Sequence, residues 1–449
     1  MSTIEKHDMT QGKILLPLVS FTIPLVLGNL FQLTYNAADS VIVGKYVGEQ
    51  ALAAVGTSTP IMNIAILLIS GMCMGASVLM SSQYGAKDYD TLSRQISTTM
   101  LAGCGFSVVF SLLMLLLANP VLRLIRVPET AIPEAAAYLR IIFMGLIFTF
   151  MYNFLANTMR ALGDSKTPLY FLVTSAFLNI FGDLFFVVVL RWGVAGSAIA
   201  TVCSEGLCCL LCGIYIKKKI PLLCLGKKWW VFDKSLLGKT VSYGSTSAMQ
   251  QVCLQLGKLI IQSVVNTQGV AVMAAFTAVN RVDDFAYTPQ QNIGHAMTTF
   301  LAQNKGAGHK ERMKKGFQTG LLIELVYSIG LFCVIWGLAP QIMTLFAEDG
   351  DAQVVSLGIS YLHLISWMYI LPGLTNVVQG FFRGIGDLKV TLYSTFMNMF
   401  GRVVAVFVMI RLLQMEFASL AWANMVGWIV MLLFEVPLLV KSMRNGECG

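Results

Sequence analysis

The chain has 449 residues, 56% of them hydrophobic and only 12% charged, with a formal net charge of +8 and a mean hydropathy of +0.72. These values exclude an ordinary soluble globule and describe a polytopic membrane protein. The excess of positive charge sits in short loops, where it reports topology, and nucleic-acid binding is set aside.

Apolar runs alternate with short polar breaks to give about twelve predicted spans, each near the ~20 residues a helix needs to cross hydrocarbon. They cover residues 15–43, 51–82, 93–118, 134–158, 167–190, 193–216, 239–265, 270–301, 317–339, 353–380, 389–412 and 416–440. The opening MSTIEKHDMTQGK is polar and lacks a small-residue cleavage site, so the first helix is expected to be retained. An N-terminus in the cytoplasm puts most of the 31 Lys and Arg residues on that side. Lys45, Arg123, Arg126, Arg140, Arg191 and Arg411 then fall outside, and Lys258, Arg281 and Arg402 within spans. Both termini are therefore expected inside, in the plasma (inner) membrane.

The first span is long and carries Pro24, which removes a backbone hydrogen bond and predicts a kink. Asp39 follows about 22 Å further along the axis. Tyr35 on this span, with Asn153 and Asn157 on the fourth, are candidates to line a cavity, although polar residues at helical spacing more often bond neighbouring helices. The third span reads as lipid-facing or packing. The fifth enters through RALGDSKTPLY and then carries Asn179 and Asp183, four apart and so on one helix face. A carboxylate near the bilayer interior costs at least ~2.5 kcal/mol, so it normally faces a protein cavity and serves transport or proton chemistry. Counting the helical rise puts Asp39, Asp183 and Thr201 of the sixth span in the outer half of the membrane, where the three could meet. The alternative for Asp39 is a place at the outer interface.

Thr201 is followed one turn on by Glu205, an intramembrane acid that is either functional or a paired structural group. Of the 10 cysteines, Cys203, Cys208, Cys209 and Cys212 share that helix, a spacing that cannot close a tetrahedral metal site, so they read as small packing residues and no metal is expected. Residues 217–238, rich in Lys and containing Trp229, Trp230 and Phe232, read as a linker on the anionic leaflet. It separates an N-terminal lobe, 1–216, from a C-terminal lobe, 239–449.

The second lobe repeats the first. RGIGDLKVTLY, from Arg383, matches RALGDSKTPLY, from Arg160, at Arg, Gly, Asp, Lys, Leu and Tyr, and Asn398 to Arg402 answers Asn179 to Asp183 with Arg402 in place of the acid. The loops SSQYGAKDYD and LAQNKGAGHK also correspond. Two repeats with an even number of helices run parallel. Lys258 of the seventh span falls opposite Asp39. The eighth carries Arg281, Asp283, Asp284 and His295 around Pro289, and the three-residue spacing of Arg281 and Asp284 predicts an internal ion pair. Glu324 lies in the ninth span, and the tenth has no acid in its middle.

Taken in order, Pro24 with Asp39, the two RxxGDxK loops, Asn179 with Asp183, and Thr201 resemble a multidrug and toxic compound extrusion (MATE) transporter, most like the DinF branch, over essentially the whole chain. The resemblance implies an all-α fold of twelve helices in two parallel six-helix bundles forming a V. It implies efflux of organic, cationic compounds against entry of a proton or a sodium ion, with Asp39, Asn179, Asp183 and Thr201 as the cation site and Pro24 linked to bending of helix one. The NorM branch instead uses acids in spans seven and ten, where this chain has Gln255 and Lys258 and no central acid.

Asp39 and Asp183 would repel as anions, so a proton or Na+ shared there would neutralise the first lobe and favour drug release. Lys258, Arg281, Asp284, Arg402 and Glu205 form a possible charge network. The 24 methionines and 11% aromatic residues suit an adaptable apolar cavity, as they suit any membrane core. The expected partners are small organic molecules and the lipid bilayer, and the chain is expected to work as a monomer with no cofactor beyond the coupling ion. A flippase for lipid-linked saccharides on a related fold is the alternative, kept open by Lys258, Arg281 and Arg402. Major facilitator architecture does not account for the repeated hinge. Catalysis is not expected, since the four histidines are scattered and no HExxH or nucleophile–base pattern occurs.

Overall fold

The computed structural model describes residues 8–125, 127–129, 131–220, 230–346, 352–411 and 417–444. The middle of the basic linker, the acidic stretch 347–351, Arg126, Glu416, the Arg411 side chain and residues 445–449 lie outside the described set.

The described chain is helical throughout. The helices are α1 (Leu15–Tyr46), α2 (Glu49–Gly85), α3 (Tyr89–Leu124), α4 (Ile132–Met144), α5 (Leu146–Ala161), α6 (Lys166–Asp183) and α7 (Gly193–Lys219). The second half has α8 (Lys234–Val265), α9 (Val270–Gly306), α10 (Lys310–Phe346), α11 (Ala352–Ser366), α12 (Ile370–Gly384), α13 (Leu388–Arg411) and α14 (Ala418–Arg444). α4 and α5 are one span bent by 47° at Gly145, where Val202 of α7 packs so closely that no Cβ fits. A π-helical turn, Leu184–Val189, continues α6, and a 3-10 turn, Trp367–Tyr369, joins α11 to α12. Joined in this way, the helices make twelve spans. Among the described residues ten pass on length and apolar composition. α8 and α9 are as long but are interrupted by Lys258 and by Arg281, Asp283 and Asp284.

The repeat is written in the turns. Gly48 and Gly269, with φ of 109° and 99°, precede α2 and α9. Gly163 and Gly386, at 89° and 86°, close α5 and α12. These are left-handed conformations that glycine reaches without Cβ strain and that end helices. At the close of α5, Gly163 N–H donates to the Arg160 carbonyl and Asp164 N–H to that of Met159; Gly386 and Asp387 do the same to Arg383 and Phe382. Asp164 then caps α6 by accepting from the N–H groups of Lys166 and Thr167, both at 3.0 Å. The shared RxxGD is thus helix-stop chemistry in both copies, and in the first its Asp164 also starts the next helix. The loops after α2 and α9 match in the same way, with Lys87 (φ 58°) where the second copy has Gly308 (φ 73°).

The molecule divides into two compact units: residues 1–8 with 23–248, and residues 9–22 with 249–449. The boundaries differ from a simple cut at the linker, because each unit takes in the opening segment of the other half. In the first unit α2 and α8 touch backbone to backbone: a Cβ on Gly71 would lie 2.5 Å from Ala248 Cα, and one on Gly75 2.5 Å from Gly244 N. Small residues four apart permit this contact. Ahead of α8, Val231 and Asp233 are stitched to α3 through Ser97 and Thr98. In the second unit Arg312 and Asn304 hold the carbonyls of Met9, Gln11 and Gly12 ahead of α1. Phe143, Phe150 and Phe154 fill the core of the first unit. Tyr361, Tyr369 and Met343 fill that of the second.

Candidate functional site

In the first unit α6 and α7 approach on small residues. A Cβ on Gly182 would meet Ala200 Cβ at 3.0 Å, and one on Gly196 would meet the Phe186 backbone at 3.1 Å. The close seam sets Asn179 and Asp183 of α6 against Ser197 and Thr201 of α7. Asn179 Nδ2 donates to Thr201 Oγ1 at 3.2 Å, and Ser197 Oγ donates to Asp39 Oδ1 at 2.8 Å. Asp183 is fully buried and Asn179 3% exposed. Asp183 adjoins both the Asp39 carboxylate and the Ser197 hydroxyl, yet neither of its oxygens meets a donor at hydrogen-bond geometry, and Asn179 Oδ1 is also without one. Three helices therefore gather two carboxylates, an amide oxygen and two hydroxyls in one place, with Asp183, Asn179 and Ser197 buried and Asp39 and Thr201 partly exposed. Such a set favours a proton or a monovalent cation, which would remove the carboxylate repulsion and take up the unused oxygens.

Tyr138 of α4, 4% exposed, lies within electrostatic reach of Asp39, Asp183, Tyr35 and Glu205. Tyr35 in turn adjoins Gln32 and faces Glu205, whose Oε2 accepts from Thr149 Oγ1 at 2.5 Å. Asn153 and Asn157 bond neither the acids nor a neighbouring helix through their Nδ2 groups, which return to the carbonyls of Thr149 and Asn153 on α5, each at 2.9 Å. Pro24 is buried within α1. Sequence reasoning missed Ser197, although its place one turn before Thr201 puts it on the same helix face. A cavity of about 460 Å³ is lined by Tyr46, Val47, Val187, Val188, Arg191 and Gly193. Val187 is one turn beyond Asp183, across the π-helical segment.

In the second unit the charges pair differently from the expectation. Asp284 meets Lys258 Nζ at 3.8 Å, whereas Arg281 is exposed and forms no ion pair with Asp284. The three-residue spacing allowed that pair, but the neighbouring helix α8 supplies a cation instead. Buried Asp283 accepts from the Tyr369 hydroxyl and lies within electrostatic reach of Arg402. A separate network links Arg383 to Gln379 at 2.7 Å and Gln250 to Gln379 and Thr395 at 3.2 and 2.9 Å. On α7, Cys208 and Cys212 are buried and Cys203 is exposed. Among the described residues no group of His, Cys, Asp and Glu could hold a metal ion.

A family model described as MatE matches the chain twice, over residues 24–185 and 247–409, one match to each repeat. The chain is 32% identical over 388 residues to the probable multidrug resistance protein YpnP of Bacillus subtilis (strain 168), covering 86% of each chain. It is 23% identical over 423 residues to the probable multidrug resistance protein NorM of Thermotoga maritima, covering 92% of this chain and 89% of that one. An outward-facing structure of a multidrug resistance MATE family transporter of the MOP superfamily superposes with a TM-score of 0.91 at 22% identity, covering 100% of this chain and 99% of that one.

Proposed function

The chain belongs to the MatE family, a multi-pass membrane transporter and not an enzyme, and from that premise we propose a secondary active antiporter that expels organic, cationic drugs in exchange for protons or sodium ions. The names of its relatives supply the multidrug substrate class. The observation that supports the coupling is the meeting of Asp39, Asp183 and Ser197 beside Asn179 and Thr201.

Charge balance gives the mechanism. With both acids ionised, the cluster holds two adjacent negative charges, that of Asp183 buried, which a cation would compensate. A proton on the pair, or Na+ held by Asp39, Asp183, Asn179 Oδ1 and Thr201 Oγ1, removes that charge and lets the seam close. α1 carries Asp39 beyond Pro24, which removes a backbone hydrogen bond and makes this helix easier to bend, so occupancy of the cluster would bias its shape. Antiport follows when cation and drug prefer different shapes. The proposal is of a plasma-membrane protein with both termini in the cytoplasm, acting as a monomer without a resident cofactor.

The flippase reading is not favoured: the relatives carry multidrug resistance names, and Lys258 and Arg402 have acids within reach in Asp284 and Asp283. The test is dye efflux from proteoliposomes under an imposed pH gradient and, separately, an imposed sodium gradient. Efflux driven by at least one gradient and stopped by its collapse supports antiport. Efflux indifferent to both gradients overturns it.

A further inference from the structure

The second unit holds a carboxyl group that the antiport cluster does not use. Glu324, near the middle of α10, is 1% exposed, and neither of its oxygens meets a donor. Two further spans press on it. Gly373, in the first turn of α12, comes so close that a Cβ there would sit 2.6 Å from Glu324 Oε1 and 3.1 Å from Gln290 Nε2. Gln290 follows Pro289 in α9 and is fully buried. Its Nε2 donates to the Tyr369 carbonyl at 2.8 Å and to Ser328 Oγ at 3.3 Å, while its Oε1 has no donor. The Tyr369 carbonyl fixes the orientation of the amide, since turning it over would set oxygen against oxygen. That carbonyl belongs to the 3-10 turn that breaks the tenth span.

The titratable groups on the surrounding elements are engaged elsewhere. Tyr327 on α10 donates to the Ala286 carbonyl, Tyr369 donates to Asp283, and His363 on α11 approaches the Trp336 carbonyl. On α9, Asp284 pairs with Lys258 and His295 has contacts of its own; on α12, Arg383 is bonded to Gln379. An ionised Glu324 would thus be a buried charge with neither cation nor donor, the arrangement proteins avoid. One proton removes the buried charge and supplies a donor, and the Gln290 side chain, which reaches the same point beside Gly373 as Glu324 Oε1, carries in Oε1 an acceptor that lacks one.

We propose that Glu324, with Gln290 as acceptor, is a second proton-binding site, set between α9, α10 and the broken tenth span and emptied and refilled during transport. Loss of the proton leaves two unsatisfied acceptors beside the 3-10 turn, at the level of Pro289 and Pro372, where the helices are least able to hold a regular ladder. Deprotonation therefore favours a rearranged break. The transport role rests on the antiport reading, but the existence of the site is measurable without transport.

The measurement is the infrared carboxylic C=O band of the purified full-length protein, titrated with pH in water and in heavy water. Wild type is expected to show a buried protonated band that shifts in heavy water, is absent from Glu324→Gln, and persists in the Asp39→Asn/Asp183→Asn double variant. Gln290→Leu, which keeps the acid and removes its acceptor, is expected to move the band to higher frequency, and it serves if Glu324→Gln fails to fold. Adding ethidium to wild type is expected to change the band's amplitude. Identical spectra for wild type and the Glu324 and Gln290 variants at every pH would overturn the site. A band indifferent to ethidium would overturn its part in the cycle, whereas failure of gradient-driven efflux with the band intact would count only against the antiport reading.

Discussion

Ser197 is the hydroxyl that gives Asp39 its hydrogen bond, and it does so from a fully buried position. Removing it in Ser197→Ala leaves a carboxylate oxygen short of a donor, a change of about 1–3 kcal/mol. Because that cost falls on the ionised state of the cluster, efflux should reach half its maximum at a cation concentration shifted by roughly tenfold, with expression and folding retained. An unshifted dependence in the transport assay would separate Ser197 from the coupling. Thr149→Val is expected to act on Glu205 alone, since that hydroxyl is the donor to Glu205 Oε2. Side chains of this kind were partly legible beforehand. The one-turn spacing of Asn179 and Asp183 put both on one face, and their polarity in an apolar run marked them. A serine four residues before Thr201 gives no such mark, because a small hydroxyl in a membrane helix can satisfy itself on its own backbone, as Thr22 and Thr34 do on α1. Asn153 and Asn157 illustrate the same point, since their amides turn back onto α5.

At the scale of elements, helix contacts in the first unit depend on missing side chains. α2 and α8 meet at Gly71, Gly75, Gly244 and Ala248 with no room for a methyl group. Gly75→Ala is expected to destabilise the protein by about 1–3 kcal/mol, read as a lower midpoint in thermal unfolding in detergent. An unchanged midpoint would contradict the backbone-to-backbone packing. Gly163→Ala and Gly386→Ala meet a different obstacle, a left-handed backbone at φ 89° and 86°. Each should cost roughly 1–2 kcal/mol and, because the turns are equivalent, similar amounts. Turn chemistry was visible as the repeated RxxGD, whereas the glycine seams were not. Glycine and alanine in an apolar run look alike whether they face lipid or another helix. The Arg281–Asp284 pair failed for a related reason: spacing along one helix does not reveal that α8 places Lys258 nearer.

For the molecule as a whole, the bilayer made the fold readable. Lipid offers the backbone no hydrogen bonds, so each span must be a helix of membrane length; the order of the spans follows, but helices run beyond the predicted ends where the apolar signal stops first, as Tyr89–Leu124 does past 118 and Lys310–Phe346 does at both ends of 317–339. The exchange of opening segments between the two units is held by local polar contacts that no hydropathy pattern records. One is the joint between the linker and α3. The backbone N–H groups of Leu236 and Ser235, and then Arg94 at 2.5 Å, hold the Asp233 carboxyl below the usual carboxylate range. Its contribution is therefore present above the ordinary carboxylate range and lost only as pH falls through the depressed value. Amide exchange over residues 231–236 should accordingly be the same at neutral and mildly acidic pH once corrected for intrinsic rates, and faster in Asp233→Asn. Protection that fades on mild acidification would contradict the joint.

The central claim is that cation occupancy of the Asp39–Asp183 cluster drives export, and dye efflux from proteoliposomes bearing wild type, Asp39→Asn or Asp183→Asn under the productive gradient addresses it most directly. The account predicts that either substitution abolishes gradient-driven efflux while the protein remains folded and inserted. Undiminished efflux in both variants would contradict it.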